Sequence, residues 1–140
     1  MVEDSDADYE ITERAFLKAG MKMENLIRCV DGDDALDYLH QRGGYENDKS
    51  VLRPSLVLLD LNMPGTDGKE VLEEIKTDDN LKDIPVLILT TSMDERDIED
   101  CYKLGANTYI HKPVNFQGFM EAMQRLKDYW VELAILTQEK

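Results

Sequence analysis

Two runs of consecutive apolar residues constrain the fold of this chain more than any other feature. They are LVLL at 56–59 and VLIL at 86–89. A strand that is apolar at every position must be covered on both faces, as happens when helices lie on both sides of a parallel sheet. Segments with apolar residues at helical spacing alternate with these runs, which is typical of successive βαβ units. The pattern therefore predicts an α/β fold built on a parallel sheet.

The remaining elements follow from periodicity and from helix start and stop signals. We predict helices over 7–19, 32–42, 69–77, 94–105 and 116–136, the last with Asn115 as its N-cap. We predict strands over 25–30, 55–60, 84–91 and 107–113, with a further strand stub that closes on Glu3 and Asp4. Neither a repeat nor a low-complexity tract interrupts the pattern, so one domain is expected over 1–140. The last helix carries an apolar stripe, which we interpret as core packing or a dimer contact and which consists of Phe116, Phe119, Met120, Met123, Leu126, Trp130 and Leu133.

The charge and hydropathy of the chain exclude several classes of function. The formal net charge is −14. General nucleic-acid binding and attraction to an anionic membrane both need basic surface, so the sequence argues against each. No apolar run reaches the length of a membrane span, and no secretory signal is visible. We therefore expect a cytoplasmic location, with no nucleic acid and no membrane among the partners.

The cysteines and histidines lack the spacing of a redox or metal motif. Cys29 and Cys101 form no CxxC pair, and we interpret them as structural thiols rather than as a redox pair. His40 and His111 are far apart in the sequence, so we interpret both as surface or structural residues.

Polar side chains stand at the carboxyl ends of several predicted strands. The run LVLL ends at Asp60, which is followed by a turn rich in Pro and Gly. The other strands close on Glu3 and Asp4, on Thr90 and on Lys112. Ligands bind open parallel sheets at this edge, so we expect these carboxylates, the hydroxyl and the ammonium to lie together. Any one of them alone is more often a turn former or a helix cap, and it is their combination that favours a site.

This set of groups suits a divalent cation and a phosphoryl group. Nearby carboxylates raise one another's pKa unless a cation lies between them, and Mg²⁺ takes few carboxylate ligands together with phosphoryl oxygens. Asp4 and Asp60 are the expected side-chain ligands, with Glu3 acting through water. Lys112 and the metal would neutralise a transferring phosphoryl group, and Thr90 would donate a hydrogen bond to it. Asp60 can then be the nucleophile that forms an acyl phosphate.

Four separated motifs carry a family resemblance: VEDSDAD, LVLLDLNMPGTDGKEVLEEIK, IPVLILTTS and LGANTYIHKPV. Together they resemble the receiver domain of two-component response regulators, over nearly the whole chain. The chain is similar in particular to stand-alone receivers of the cyanobacterial phytochrome-associated type, whose long last helix contains an aromatic pair, here Tyr129 and Trp130. The resemblance implies a flavodoxin-like, doubly wound sheet of five parallel strands in the order 2-1-3-4-5, with helices on both faces.

The resemblance also implies a role for each residue at the strand ends. Asp60 is the implied phosphoacceptor, and the donor is a sensor histidine kinase or a phosphotransfer protein. Thr90 and Lys112 are implied to contact the phosphoryl group. The implied cofactor is Mg²⁺, with a ligand set that consists of Glu3, Asp4, Asp60 and the backbone carbonyl of Asn62.

A switch is the function that the resemblance implies, with no enzymatic turnover beyond self-phosphotransfer and autodephosphorylation. Tyr109 is implied to change rotamer as Thr90 moves, and the Lys112–Pro113 bond is implied to be cis. Asn62 and Ser92 are implied to set the rate of autodephosphorylation. The surface of the fourth helix, the fifth strand and the last helix would then bind a downstream protein partner, and the last helix and strand region offers a homodimer contact.

One departure and two rival functions accompany this interpretation. In the family several apolar residues precede the acidic pair, whereas only Met1 and Val2 precede Glu3, so we expect that upstream residues are missing or that Met1 lies inside the strand. One rival is a receiver that is never phosphorylated and acts as a binding module, against which the intact acid, hydroxyl and ammonium groups argue. The other is a Mg²⁺-dependent phosphatase with an Asp nucleophile, which needs a second acid where Asn62 stands.

Overall fold

The computed structural model describes residues 1–134 and 136. Helices and strands alternate along the chain, as predicted. The helices are α1 (Asp6–Lys18), α2 (Gly32–His40), α3 (Gly68–Thr77), α4 (Glu95–Lys103) and α5 (Phe116–Lys127). The strands are β1 (Val57–Leu59), β2 (Val86–Thr90) and β3 (Thr108–His111). Short 3-10 turns lie at Met23–Asn25 and Gly43–Tyr45, and a π-helical segment covers Asp128–Leu133.

The three strands form one parallel sheet in the order β1-β2-β3. Next to β1, Val2 forms single parallel bridges, to Leu59 on one side and to Cys29 on the other. The Val2 N–H donates to the Leu58 carbonyl at 2.7 Å, and the Glu3 N–H donates to the Cys29 carbonyl at 3.0 Å. Among the described residues, three strands and two isolated bridges therefore occupy the places where five strands were predicted.

The segment predicted as a strand over 25–30 forms only the bridge at Cys29. Met23–Asn25 adopt a 3-10 turn, which Leu26 closes by donating its N–H to the Met23 carbonyl at 3.1 Å. The chain becomes extended only after this turn, and it meets the short segment around Val2 at one position. A single point of pairing gives a bridge rather than a continuous ladder.

Apolar side chains cover both faces of the sheet. Alternate residues of a strand point to opposite faces. Leu58 and Leu87 join Phe16 of α1 and Met123 of α5 in one buried cluster. Their neighbours along β1 and β2 belong to a second buried cluster, which contains residues of α2, α3 and α4 and includes Leu59, Val71, Ile75, Ile88 and Cys101. This burial confirms the prediction made from the two uninterrupted apolar runs.

The last helix begins as predicted but changes geometry before its end. The Asn115 side chain accepts the Gly118 N–H at 2.6 Å and is the N-cap. The α-helix ends at Lys127 and a π-helical segment follows, so the expected single long α-helix is wrong. The middle residues of the apolar stripe are buried, whereas Phe116 and Leu133 at its two ends are 52% and 73% exposed. The prediction for residue 135 falls outside the described residues.

The thiols and imidazoles lie where structural groups are expected. Cys29 and Cys101 are both free and buried, and burial raises the pKa of each thiol to about 11. His40 contacts Glu74 at 2.9 Å and so connects α2 to α3, and His111 is exposed. Among the described residues, no helix is both long enough and apolar enough to cross a membrane.

Candidate functional site

The polar residues predicted at the strand ends meet at one edge of the sheet. Asp60 directly follows β1, and its N–H donates to the Val2 carbonyl at 3.2 Å, which places it beside Glu3. Thr90 ends β2, and the N–H of Lys112 donates to the Thr90 carbonyl at 2.7 Å just after β3. The parallel register of the strands is therefore what brings these distant residues together.

Three carboxylates form the acidic part of the site. Glu3, Asp4 and Asp60 each offer an oxygen atom within 4.8 Å of the others. Glu3 is fully buried, Asp60 is 7% exposed and Asp4 is exposed. Hard cations such as Mg²⁺ and Mn²⁺ prefer oxygen ligands of this kind, so the donor set fits a divalent ion that remains open to solvent on the Asp4 side.

Lys112 supplies the positive charge of the site. Its side chain is 5% exposed. Its Nζ atom lies 2.7 Å from Glu3 Oε1, 2.8 Å from Asp8 Oδ2 and 3.4 Å from Asp60 Oδ2. Burial alone would lower the pKa of this ammonium, but hydrogen bonds to Asp8 and Glu3 outweigh burial and raise the pKa above its ordinary value. Lys112 is therefore a permanent cation at the site.

The surroundings of Glu3 raise its pKa. Burial raises the pKa of Glu3 to about 7, the Lys112 ammonium partly offsets this rise, and the nearby Asp60 carboxylate adds to it. The direction follows from the burial of the Glu3 side chain, which the single neighbouring ammonium does not fully offset. A second cation at the site would complete the neutralisation.

The turn after Asp60 is shaped by close backbone approaches. Gly65 has a φ of +74°, in the left-handed region that favours glycine. Gly68 begins α3 and donates its N–H to the Leu61 carbonyl at 3.0 Å. A Cβ atom on Gly68 would lie 2.3 Å from the carbonyl oxygen of Asp60. The glycine therefore lets α3 pack directly against the backbone that carries Asp60.

Ser92 connects the two residues predicted to move. Its N–H donates to Thr90 Oγ1 at 3.3 Å, and its carbonyl accepts the Tyr109 hydroxyl at 2.9 Å. The Ser92 hydroxyl donates to Asp97 at 2.6 Å, and Asp97 in turn contacts Lys69 Nζ at 2.6 Å. This chain of contacts joins the loop after β2 to the start of α3.

The remaining predicted residue lies at the rim of the site. Asn62 is exposed, and its N–H donates to Asp60 Oδ1 at 3.4 Å.

The Lys112–Pro113 bond is trans, so the expected cis bond is wrong. The trans isomer is favoured for X–Pro bonds by about 0.5–1 kcal/mol, and here it already allows the Lys112 contacts with Thr90 and Glu3.

Four residues of the site region were not predicted from the sequence. Asp8 contacts Lys112, while Asp97 and Lys69 contact each other beside Ser92. Arg28 donates its Nε–H to the Glu3 carbonyl at 3.1 Å, lies 2.8 Å from Asp6 and stacks on the ring of Tyr9. A signal for Asp8 exists in the stretch SDAD, since a Ser followed three residues later by an acid marks a helix start. That pattern predicts a cap rather than a contact with a lysine.

Comparison with known proteins identifies the family. Residues 1–124 match the response regulator receiver domain, and the chain belongs to this family, whose members are generally signalling modules of two-component systems rather than enzymes. Response regulator Rcp1 from Synechocystis sp. is 42% identical over 136 residues, which cover 97% of this chain and 90% of Rcp1. The probable methanogenesis regulatory protein FilR2 from Methanothrix harundinacea is 39% identical over 133 residues, 94% of this chain and 81% of FilR2.

Solved structures agree with this assignment. The phosphorylated cyanobacterial phytochrome response regulator RcpA superposes with a TM-score of 0.90 at 40% identity, covering 98% of this chain and 95% of RcpA. The Mn²⁺-bound form of Rcp1 superposes with a TM-score of 0.90 at 41% identity, covering 98% of this chain and 96% of Rcp1. The chain therefore has the flavodoxin-like receiver fold, and its similarity to cyanobacterial phytochrome response regulators, predicted from the motifs, is confirmed.

Proposed function

We propose that this chain is a phosphorylation-dependent switch that accepts a phosphoryl group on Asp60 with the help of Mg²⁺. The observation that carries the proposal is the meeting of Lys112 Nζ with Glu3 and Asp60 at the carboxyl edge of the sheet. A nucleophilic carboxylate, an ammonium and an acidic cluster that fits a divalent ion are the parts that phosphoryl transfer requires.

The metal ligands in this proposal are Glu3, Asp4, Asp60 and the backbone carbonyl of Asn62. The three carboxylates support it because their oxygens are mutually close and one of them is exposed. The solved Mn²⁺-bound form of Rcp1 supports a divalent ion in a similar protein. When bound, the ion supplies positive charge that offsets the charge of the phosphoryl oxygens.

The transfer itself needs only positioning and charge stabilisation from the chain. A carboxylate oxygen of Asp60 attacks the phosphorus atom of a phosphohistidine, so that an O–P bond forms while the N–P bond breaks and the histidine nitrogen keeps the electron pair. The Lys112 ammonium donates hydrogen bonds to a phosphoryl oxygen, and the Thr90 hydroxyl donates to another. Lys112 Nζ starts 3.4 Å from Asp60 Oδ2, and the backbone carbonyl of Thr90 accepts the N–H of Lys112.

The switch follows from the contacts around Ser92. When Thr90 moves toward the phosphoryl group, its hydrogen bond from the Ser92 N–H must change, and Tyr109 is bonded to the same residue. Local charge would thus bias the position of the loop after β2 and of α4. Asn62 and Ser92 lie beside Asp60 and Thr90 in the chain and would set how fast water removes the phosphoryl group.

The partners in this proposal are proteins. A sensor histidine kinase or a phosphotransfer protein supplies the phosphoryl group, and a phytochrome kinase is the favoured class because RcpA is a phytochrome response regulator. A downstream protein, or a second copy, would bind the surface of α4, β3, α5 and the segment Asp128–Leu133. We further propose one receiver domain over 1–140, a cytoplasmic location and strand order 2-1-3-4-5, with Val2 marking the strand next to β1 and Cys29 marking the strand beyond it.

Labelling by acetyl phosphate tests the proposal. We expect the wild-type chain to gain one phosphoryl group when Mg²⁺ is present, and Asp60→Asn to gain none. Asp48→Asn is the matched control, because Asp48 lies in the exposed loop after Gly43–Tyr45 and, among the described residues, its hydrogen bonds go to Ser50 and to the backbone there. Labelling that survives in Asp60→Asn would overturn the assignment of the phosphoacceptor.

The same experiment separates the two rival functions. A receiver that acts only as a binding module would take up neither the label nor beryllofluoride, a mimic of the phosphoryl group. A phosphatase would turn over a phosphate ester steadily. We expect one label per chain and no steady turnover of such an ester.

A further inference from the structure

Lys112 is shared among more carboxylates than phosphoryl binding requires. An ammonium has three N–H donors, and the three acceptors around Lys112 Nζ are Glu3 at 2.7 Å, Asp8 at 2.8 Å and Asp60 at 3.4 Å. The longest of the three contacts is the one to Asp60. In this state the lysine is therefore held more closely by Glu3 and Asp8 than by the proposed phosphoacceptor.

Asp8 is held in place for this contact by the first turn of α1. Its N–H donates to the Oγ atom of the N-cap Ser5 at 3.2 Å, and its carbonyl accepts the hydroxyl of the fully buried Thr12 at 2.9 Å. A negative charge in the first turn of a helix also interacts favourably with the helix macrodipole. Asp8 does not belong to the group of acids that could hold the metal, so its role is separate from theirs.

The burial of Glu3 and Asp8 shows which of their two contacts with Lys112 can break. The Glu3 side chain is 1% exposed, whereas that of Asp8 is 30% exposed. A buried carboxylate that loses its cation is left without solvation, which is strongly unfavourable. Asp8 can instead be solvated by water when the lysine leaves. When Lys112 turns toward a phosphoryl group on Asp60, the contact with Asp8 is therefore the one that breaks.

We propose that Asp8 is a positioning residue that competes with the phosphoryl group for Lys112, an inference that rests on the proposed phosphoacceptor role of Asp60. The carboxylate of Asp8 stabilises the unphosphorylated state by holding the ammonium, and it has no such interaction once the ammonium has moved. It thereby lowers the affinity of the site for a phosphoryl group, since a ligand shifts an equilibrium only by its differential interaction with the two states.

Beryllofluoride binding to the full chain in saturating Mg²⁺ tests this inference. We expect Asp8→Asn to bind beryllofluoride about 2- to 5-fold more tightly than wild type, the range given by an ion pair that is partly exposed. Asp8→Ser removes the same charge with a different side chain and should give the same gain, so the result does not depend on how one variant folds. The acyl phosphate formed from acetyl phosphate should also persist longer in both variants.

Asp6→Asn is the matched control. Asp6 is in the same first turn of α1, but its side chain is 93% exposed and it contacts Arg28 rather than Lys112. We expect this variant to change beryllofluoride affinity less than twofold, and the Mg²⁺ affinity to be the same in the Asp6 and Asp8 variants.

Two results would overturn the inference, and they are distinguishable. If wild type binds beryllofluoride but Asp8→Asn and Asp8→Ser bind it equally or more weakly, Asp8 does not compete for Lys112. If wild type binds no beryllofluoride at all, the proposed function itself fails and the role of Asp8 fails with it.

Discussion

Replacing Gly68 by alanine tests how closely α3 packs against the backbone of Asp60. The new Cβ atom would lie 2.3 Å from the Asp60 carbonyl oxygen and 2.6 Å from the Cα atom of Leu61. Non-bonded carbon atoms pack at about 3.5–4.0 Å, so α3 must move by about 1 Å, and overpacking of this kind costs about 1–3 kcal/mol. Both obstructing atoms are backbone atoms, which cannot rotate away.

The expected change in stability is a loss of about 1 kcal/mol, because alanine in a helix offsets about 0.5–1 kcal/mol of the cost of the clash. For a domain of this size the midpoint of thermal unfolding should fall by about 3–6 °C. Circular dichroism melting, with urea unfolding as a second measure, provides the test. Beryllofluoride binding should also weaken, because the shift displaces Asp60.

Gly44→Ala is the control for this prediction. Among the residues that the structure describes, no heavy atom lies within 4 Å of a Cβ atom placed on Gly44, so the free energy of unfolding of this variant should change by less than about 0.5 kcal/mol. If Gly68→Ala melts at or above the wild-type temperature while Gly44→Ala behaves as expected, the close approach of α3 to Asp60 is refuted.

Two further predictions concern charge. Because burial raises the pKa of Glu3 to about 7, a proton competes with Mg²⁺ there, and calorimetry should find Mg²⁺ binding about tenfold weaker at pH 6 than at pH 8. Glu3→Gln should bind more weakly with little dependence on pH, and a flat wild-type profile would contradict the shift. Asp97→Asn removes the carboxylate that pairs with Lys69 and accepts a hydrogen bond from Ser92. The side chains of Lys69 and Asp97 are 31% and 29% exposed. The substitution should lower the free energy of unfolding by about 1 kcal/mol or less and change the lifetime of the acyl phosphate at least twofold, whereas Asp79→Asn, on a 93% exposed side chain, should change neither.

The raised pKa of Glu3 also has a consequence for stability without metal. Between pH 4.5, the ordinary value, and about 7 the folded protein holds a proton on Glu3 that the unfolded chain has released. The contribution of Glu3 to the free energy of unfolding therefore falls as the pH rises through this range. Added Mg²⁺ should reverse this trend, since it stabilises the ionised form.

The convergence of Asp60, Thr90 and Lys112 could be predicted because it depends only on topology. Parallel strands end at the same edge of a sheet, so a polar residue after each apolar run is brought there whatever the details of packing. The uninterrupted runs at 56–59 and 86–89 likewise specify burial on both faces, and the core follows that pattern.

Asp8 could not be predicted in the same way. Its contact with Lys112 depends on the direction in which α1 leaves Ser5, and the stretch SDAD is typical of an ordinary helix cap. The bridge between Lys69 and Asp97 depends on the relative position of α3 and α4, which no local pattern encodes.

Backbone geometry accounts for the other differences between the predicted and the observed structure. The trans Lys112–Pro113 bond, the 3-10 turn before Cys29 and the π-helical segment after Lys127 all differ from the prediction. The trans bond is the form that X–Pro bonds intrinsically favour, and no hydrophobic periodicity distinguishes a 3-10 or π turn from the regular element that was predicted. The aromatic pair Tyr129 and Trp130 is in the π-helical segment, where the rings meet edge to face at 5.3 Å.

A crystal structure of the full chain with Mg²⁺ and beryllofluoride tests the central claim most directly. We predict density for the beryllium group on a carboxylate oxygen of Asp60, a metal ion held by Asp4 and Asp60, and Lys112 Nζ within hydrogen-bond distance of a fluoride. Beryllofluoride bound elsewhere, or a Lys112 that stays on Glu3 and Asp8 while Asp60 carries no adduct, would contradict the account.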